Sequence, residues 1–446
     1  MQALKDFPKK TVLCDIADLH TFQIRSNSVK FIHAADIHLD SPLTGLTAYP
    51  DAPVEMLRTA TRRAFTNLCN EAIALAVDFM VIAGDLYDGS WKDFSTGIFF
   101  CKEMGRLNKA NIPVFVLYGN HDAASELTKT LQLPENVKLF DFRQCSTHIL
   151  PHLQVALHGH SFKNAATTDN LAARYPAPIE GMFNIGVLHT ALEGSTEHSN
   201  YAPCTISQLH DKGYDYWALG HVHEHQVIRG KSLIVFPGNL QGRHVRETGA
   251  RGAMLVKQDA QRRCDVSRLL VDVLRWHCLE VDVTGCIDLA EIVRAASMQL
   301  GALLESTDPS LPNAVRITLS GRTAAHGELF GLATQVRAEI IALAAAIGSH
   351  RLWIEKVRIN TRDLDDGQML AARSDAVADL QAILMAAETD AGFLKELQTE
   401  LLSIVGKSPL ELHAGLDYFK DIKSGDLGAL VADVRPGLVA HLAKLE

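Results

Sequence analysis

The sequence predicts a layered α/β chain with a second, smaller α/β unit behind it and a helical end. Three observations carry that reading. From Val29 onward, short β-branched and aromatic runs alternate with longer stretches of roughly helical period. Near Arg275 the alternation restarts on a smaller scale. Beyond Arg362 strand-like runs cease and only helical periodicity remains.

The elements follow in order. Lys30–Ala35 reads as the first strand, and Met56 to Val77 as a helix with apolar residues at Leu57, Ala60, Ala64, Leu68, Ile73 and Ala76. Phe79–Ala83 and Val114–Tyr118 are apolar runs of buried-strand type, with a helical stretch from Phe94 to Leu107 between them. Phe183–Leu188, Tyr216–Leu219, Leu233–Phe236 and Ala253–Val256 continue as strands. The polar, proline-containing segment from Ala165 to Pro178 is expected to be an exposed loop. In the second unit, Leu279–Val283, Ala314–Leu319 and Leu352–Ile359 read as strands, and Leu289–Leu303 and Leu329–Ile347 as helices. The expected division is 1–28 as an extension of no assigned role, 29–275 as the main domain, 276–363 as the small α/β unit, and 364–446 as an acidic helical tail.

Composition excludes some classes. The 446 residues are 47% hydrophobic and 21% charged, as in an ordinary globular protein, and no apolar run reaches the length of a membrane span. The first 28 residues lack the apolar core of a signal peptide. Eight cysteines without a C-x-x-C pair fit reduced thiols in a cytoplasm. A net charge of −9 argues against a uniformly basic nucleic-acid coat, so any polyanion contact must be local. One basic stretch exists: residues 229–275 hold ten Lys/Arg against four Asp/Glu.

The chemistry lies where strands end. Five runs terminate in potential metal ligands: Asp36-Ile37-His38, Gly84-Asp85-Leu86-Tyr87-Asp88, Gly119-Asn120-His121-Asp122, His189, and Gly220-His221-Val222-His223. Gly119, having no Cβ, is read as permitting a sharp turn. In extended backbone residues i and i+2 point the same way, so Asp36 pairs with His38 and His221 with His223. Seven mixed oxygen and nitrogen ligands exceed one tight site and suit two divalent ions sharing Asp85. With no thiolate among them, they favour Mn2+, Fe or Zn2+. Such a pair, about 3.5–4 Å apart, attracts phosphate and activates water. Neutral Asn120 keeps the site positive. His33 has the opposite strand parity and reads as a packed core histidine; Gly159-His160 lacks the second histidine of a G-H-x-H block.

The ordered blocks D-x-H, G-D-x-x-D, G-N-H-D, H and G-H-x-H resemble the signature of calcineurin-like metallophosphoesterases. Two further stretches, Phe31–Pro42 and Phe236-Pro237-Gly238-Asn239-Leu240-Gln241-Gly242-Arg243-His244-Val245-Arg246-Glu247, resemble the SbcD-type DNA repair nucleases, relatives of the meiotic-recombination-eleven family, and most of all its YhaO branch. The likeness covers Val29 to Arg275 well and the next unit in outline. It implies a metallophosphoesterase β-sandwich flanked by helices, with an α/β cap that contacts DNA. It also implies a homodimer and a partner ATPase of the SbcC type. Residue by residue, it implies that Asp36, His38, Asp85 and His223 hold one metal, and Asp85, Asn120, His189 and His221 the other, with Mn2+ as the expected ion. His121 would assist the leaving group or bind phosphate, and Asp88 would orient it; archaeal and eukaryotic members carry histidine where Asp88 stands.

Arg243, His244, Arg246 and Arg251 follow the histidine block closely and are expected to contact a DNA backbone. The tail carries 14 Asp/Glu against 7 Lys/Arg and two amphipathic patterns, Gln368–Ala387 and Phe393–Val405, broken by Gly406-Lys407-Ser408-Pro409. It is expected to dock the ATPase rather than grip DNA. Two rival readings are a small-molecule phosphodiesterase or phosphatase of the same superfamily, and a non-catalytic scaffold for an ATPase.

Overall fold

The computed structural model describes residues 28–41, 53–88, 94–124, 132–192, 201–348, 351–362, 364, 376–405 and 418–442. Residues 1–27, the start of the first tail pattern including Leu370, and the break at Gly406–Pro409 lie outside the described residues.

Two six-stranded sheets stack face to face. The first has the order β12-β11-β1-β2-β3-β4, with β1 at Val29–Ala34, β2 at Phe79–Ala83, β3 at Val114–Leu117, β4 at Val137–Leu139, β11 at Gly252–Gln258 and β12 at Cys264–Leu270. The second has the order β5-β6-β7-β8-β10-β9, with β5 at Ser146–Leu150, β6 at Val155–Gly159, β7 at Phe183–His189, β8 at Tyr216–Gly220, β9 at Gln226–Arg229 and β10 at Leu233–Phe236. β1, β2 and β3 run parallel, as do β6, β7 and β8. Their carboxyl ends therefore gather at an edge of each sheet.

The apolar runs are continuous rather than alternating because both faces of each sheet are covered. Phe31, Phe79, Val81, Phe115, Ile185, Val187 and Tyr216 fill the space between the sheets. Ile32, Met80, Ile82 and Val116 point outward against helices α1 (Val54–Ala74) and α2 (Phe94–Lys109). On the far side of the second sheet, Leu188, Trp217 and Ile234 pack with Phe162, Leu171 and Tyr175. The segment 165–178 is thus not the simple exposed loop its polarity suggested. Leu171, Ala172 and Tyr175 are buried, and the Tyr175 hydroxyl donates to the Val187 carbonyl.

Short helices follow: α3 at Asn120–Ala124 and α4 at Ile206–Asp211. A separate three-stranded parallel sheet, β13 (Arg275–Asp282), β14 (Asn313–Arg322) and β15 (Leu352–Arg362), carries α5 (Leu289–Ser306), α6 (His326–Gly331) and α7 (Ala333–Gly348) around its own apolar core. Trp276, edge-on to Trp353 within this unit, joins it to the main domain by donating to the Gly242 carbonyl and packing with Leu57 and Val245. The tail holds α8 (Ala376–Ala387), α9 (Ala391–Val405), α10 (Tyr418–Ser424) and α11 (Gly428–Leu442). α11 lies against α6 of the small unit and against α8, to which Arg435 is tied through Glu388 at 2.9 Å. Ile383 and Ile404 remain 65% exposed. No helix among the described residues is long and apolar enough to cross a membrane.

Candidate metal centre

The five ligand blocks converge at the facing carboxyl edges of the two sheets. The first sheet supplies Asp36 and His38 after β1, Asp85 after β2 and Asn120 after β3; the second supplies His189 at the end of β7, and His221 and His223 after β8. Ligand atoms of Asp36, His38 and His223 lie within 4.8 Å of one another, and so do those of Asp85, His189 and His221. Asp85 also stands 3.9 Å from His38, between the two sets. Asn120 Oδ1 is 3.0 Å from His189 Nε2, which places the amide oxygen with the second set.

The convergence does not come from strand alternation. Asp36 (φ 50°), His38 (φ 46°), Asp85 (φ 52°) and His221 (φ 97°) all occupy left-handed backbone, so the extended i, i+2 geometry does not hold: Asp36 and His38 fall in one set, whereas His221 and His223 fall in different sets. Left-handed backbone costs a side-chain-bearing residue about 1–2 kcal/mol, and a local cost concentrated on ligands is typical of functional sites. Bonds across the loop ends hold it: Asp36 N donates to the Gly84 carbonyl, and His38 N to that of Asp85. Gly119 likewise differs from its expected use. Its φ is not in the positive range; a Cβ there would sit 2.4 Å from Asp85 Oδ1. It is glycine because the Asp85 carboxylate passes through that space.

The donor set fits divalent ions. Both His38 nitrogens are buried without a hydrogen-bond partner, at roughly 1–3 kcal/mol for such a group, and a metal would satisfy one of them while the other lies within 4 Å of a carboxylate. Burial, with Arg243 nearby, pushes the His38 pKa down to about 3, keeping the lone pair of one ring nitrogen free. Burial disfavours the Asp85 carboxylate, yet the surrounding histidines, His189 foremost, hold its pKa well below the usual range.

His121 stands beside these ligands. Its Nδ1 lies 2.9 Å from Asp88 Oδ1, and its backbone N–H donates to Asp85 Oδ1 at 2.9 Å. Burial opposes the charged imidazolium, but the Asp88 hydrogen bond and the charges of Asp85 and Asp88 outweigh it and raise the pKa. Asp88 is held in turn by the Ser41 hydroxyl.

The four basic-stretch residues divide. Arg243 reaches inward, 3.9 Å from Asp88 and 3.1 Å from Glu247. His244 is 53% exposed, and Arg246 is exposed. Arg251 is the correction: only 4% exposed, it donates to the carbonyls of His223 and Thr248 and pairs with Glu224, so it ties loops together and offers no guanidinium to a phosphate chain.

Three residues escaped the sequence reading. Glu247 accepts at 2.8 Å from His223 Nδ1 and receives Asn239 and Arg243, which leaves Nε2 of His223 facing Asp36. Its only signal was its place at the end of the Phe236–Glu247 block. Fully buried Asp122 accepts from the backbone N–H groups of Leu86, Tyr87 and Gly119, locking the β2 and β3 loops together. Burial and the nearby Asp85 push its pKa up to about 7. Tyr216 pairs with His33, which is a core histidine bonded to the Tyr216 hydroxyl and the Leu219 carbonyl.

The two-sheet sandwich with its two ligand sets at one edge fits the family model for calcineurin-like phosphoesterases, which matches residues 29–225. The chain belongs to that family. A second model, the middle domain of the metallophosphoesterase YhaO, matches residues 276–362. A Bacillus subtilis (strain 168) relative, the uncharacterized metallophosphoesterase YhaO, is 33% identical over 295 residues, spanning 65% of this chain and 71% of its own. Among solved structures, TT1561 of Thermus thermophilus gives a TM-score of 0.31 at 11% identity over 54% of this chain and 98% of its own. A dimetal phosphatase from Danio rerio gives 0.34 at 11% over 53% and 98%.

Proposed function

We propose that this metallophosphoesterase is a Mn2+-dependent DNA nuclease of the SbcD type. It hydrolyses phosphodiesters in the cytoplasm as a homodimer with an SbcC-type ATPase docked on its tail. The observation that carries the DNA reading is the double use of one segment, residues 236–247. From within, Glu247 braces His223; from the same turn, His244 and Arg246 face solvent beside the metal centre. Cations on the rim of a phosphoesterase site suit a substrate whose charge extends beyond the scissile group. A small phosphate ester has no use for them.

Two divalent ions bound by the seven ligands would draw in a phosphodiester and make water nucleophilic near neutral pH. The chain's own residues divide the remaining work. His121, protonated through its pairing with Asp88, hands a proton to the departing oxygen, worth about 10²–10⁴-fold in turnover. Arg243, anchored by Glu247, presents positive charge beside Asp88 and His121.

The test is cleavage of linear single-stranded DNA against bis-p-nitrophenyl phosphate, both with Mn2+. DNA cleavage that stops in EDTA and in Asp85→Asn supports the proposal. Hydrolysis of the small ester alone would assign a small-molecule phosphodiesterase. Neither activity with two ions bound would assign the scaffold.

A further inference from the structure

The turn before β5 and the loop after β6 enclose a cleft of about 740 Å³, lined by polar and charged side chains. That volume is in the range of small-molecule sites. The cleft opens at the same sheet edge as the metal centre. Gly159 pairs with Val187 in the parallel β6–β7 register, so Ser161 stands level with His189. Between them Phe162 lies edge-on to the His189 ring at 5.6 Å, and the Ser161 hydroxyl accepts from the N–H of Tyr118, two residues before Asn120. The cleft is therefore next to the candidate metal ligands and walled off from them.

Its lining is unusual for a chain of net charge −9. Arg143, Lys163 and Arg174 face it against the single carboxylate of Asp169, which engages Arg174 at 2.7 Å. Lys163 has no ion-pair partner among the described residues. In the wall sits His160, 3% exposed, with an Nδ1 that makes no hydrogen bond. A buried polar atom left unsatisfied calls for an absent partner. At the mouth Phe142 is 45% exposed, with the Arg143 guanidinium 5.4 Å from its ring centre.

A flat apolar ring, two exposed cations and an imidazole nitrogen without a hydrogen bond complement one class of ligand. We propose that this cleft binds a nucleoside monophosphate unit, with its base on Phe142, its phosphate on Arg143 and Lys163, and a polar edge on His160. Aromatic stacking with cationic phosphate contacts is the general chemistry of unpaired nucleotides. The unit is either a nucleotide of the strand entering or leaving the metal centre, which rests on the nuclease reading, or a free nucleotide.

The experiment is calorimetric titration of the full-length protein in excess EDTA, so that the metal ligands capture no phosphate. The probes are deoxyadenosine 5′-monophosphate, inorganic phosphate and a 5′-phosphorylated tetradeoxynucleotide. The mononucleotide is expected to saturate, and Arg143→Ala combined with Lys163→Ala to weaken it at least about tenfold. Phe142→Ala weakens it about 5-fold or more, the alanine effect of one stacked base, and leaves phosphate binding unchanged. Asp85→Asn changes neither. Tighter binding of the tetranucleotide identifies a strand segment; equal or weaker binding identifies a free nucleotide.

The exposed variants keep wild-type hydrolysis of bis-p-nitrophenyl phosphate with Mn2+ if the cleft is a separate site. Loss of that activity would assign these residues to the metal centre and overturn the proposal. So would an absence of mononucleotide binding, or phosphate binding equal to the nucleotide's and indifferent to Phe142. Nucleotide binding without DNA cleavage would sink the nuclease reading alone; DNA cleavage without nucleotide binding would sink the cleft alone.

Discussion

Gly119→Ala tests the metal centre without touching a ligand. The added Cβ meets Asp85 Oδ1 at 2.4 Å and Asp85 N at 2.9 Å, where ordinary van der Waals contact begins at 3.4 Å. The carboxylate must therefore move about 1 Å, and it cannot move alone. Its Oδ1 accepts the His121 backbone N–H at 2.9 Å, and its other oxygen lies 3.3 Å from His189. Relief by backbone shift is opposed by Asp122, which holds Gly119, Leu86 and Tyr87 together. Overpacking of this kind costs about 1–3 kcal/mol of stability. A misplacement near 1 Å at a reacting centre costs about 10²-fold in rate, equivalent to about 2.7 kcal/mol of barrier. The variant is expected to fold, to lose at least one Mn2+ per chain by elemental analysis after desalting, and to turn over bis-p-nitrophenyl phosphate about 10²-fold more slowly. Gly105→Ala in α2, where nothing lies within 4 Å, is the control and keeps full activity. A Gly119→Ala protein with two ions and wild-type turnover would refute the argument that Asp85 must occupy that space.

Other outcomes follow from the same geometry. Glu247→Gln removes the charge that orders His223 and is expected to weaken Mn2+ binding about 10–100-fold while leaving the melting temperature of the metal-free protein nearly unchanged; equal metal affinity in a titration would discount it. His121→Ala should keep both ions and lose rate about 10²–10⁴-fold; a missing ion would make His121 a ligand. Because Asp88 raises the His121 pKa, Asp88→Asn lowers it, and the alkaline fall of kcat/KM moves to lower pH; an unmoved limb would deny the pairing its role. Truncation after Arg362 is expected to retain metal-dependent cleavage and lose co-purification with the ATPase, an interaction proposed rather than observed. Retention at wild-type yield would place that contact elsewhere.

The strands that carry the seven candidate ligands were readable because each of those residues follows an apolar run of buried-strand type. How they converge was not, since nothing in Asp36, His38, Asp85 or His221 announces left-handed backbone; tertiary bonds such as Asp36 N to Gly84 impose it. Arg251 misled because a charge run says nothing about which side chains turn inward. β5 and β6 were missed because proline, histidine and glutamine interrupt 150–154, hiding a hairpin that only the neighbouring β7 makes evident. Leu332 breaks the long helix expected over 329–347 into α6 and α7, a division its uninterrupted apolar pattern does not reveal.

The ligands come from both sheets: four from the loops after β1, β2 and β3, and three from β7 and the loop after β8. The ions would therefore act as a clasp across the sandwich, and their binding is linked to its closure. Occupancy at 100 times the dissociation constant adds about 2.7 kcal/mol to the folded state for each independent site. Chelation would release that energy first at the open edge, where four buried or half-buried histidines lose their metal and two buried aspartates their counter-charge, while the apolar layer between the sheets stays packed. Amide exchange in metal-free protein should accordingly quicken along the loop ends at Asp36–Leu39 and Leu86–Asp88 well before it reaches Phe79 or Ile185. The metal site would then serve as the latch of the domain as well as the seat of its chemistry.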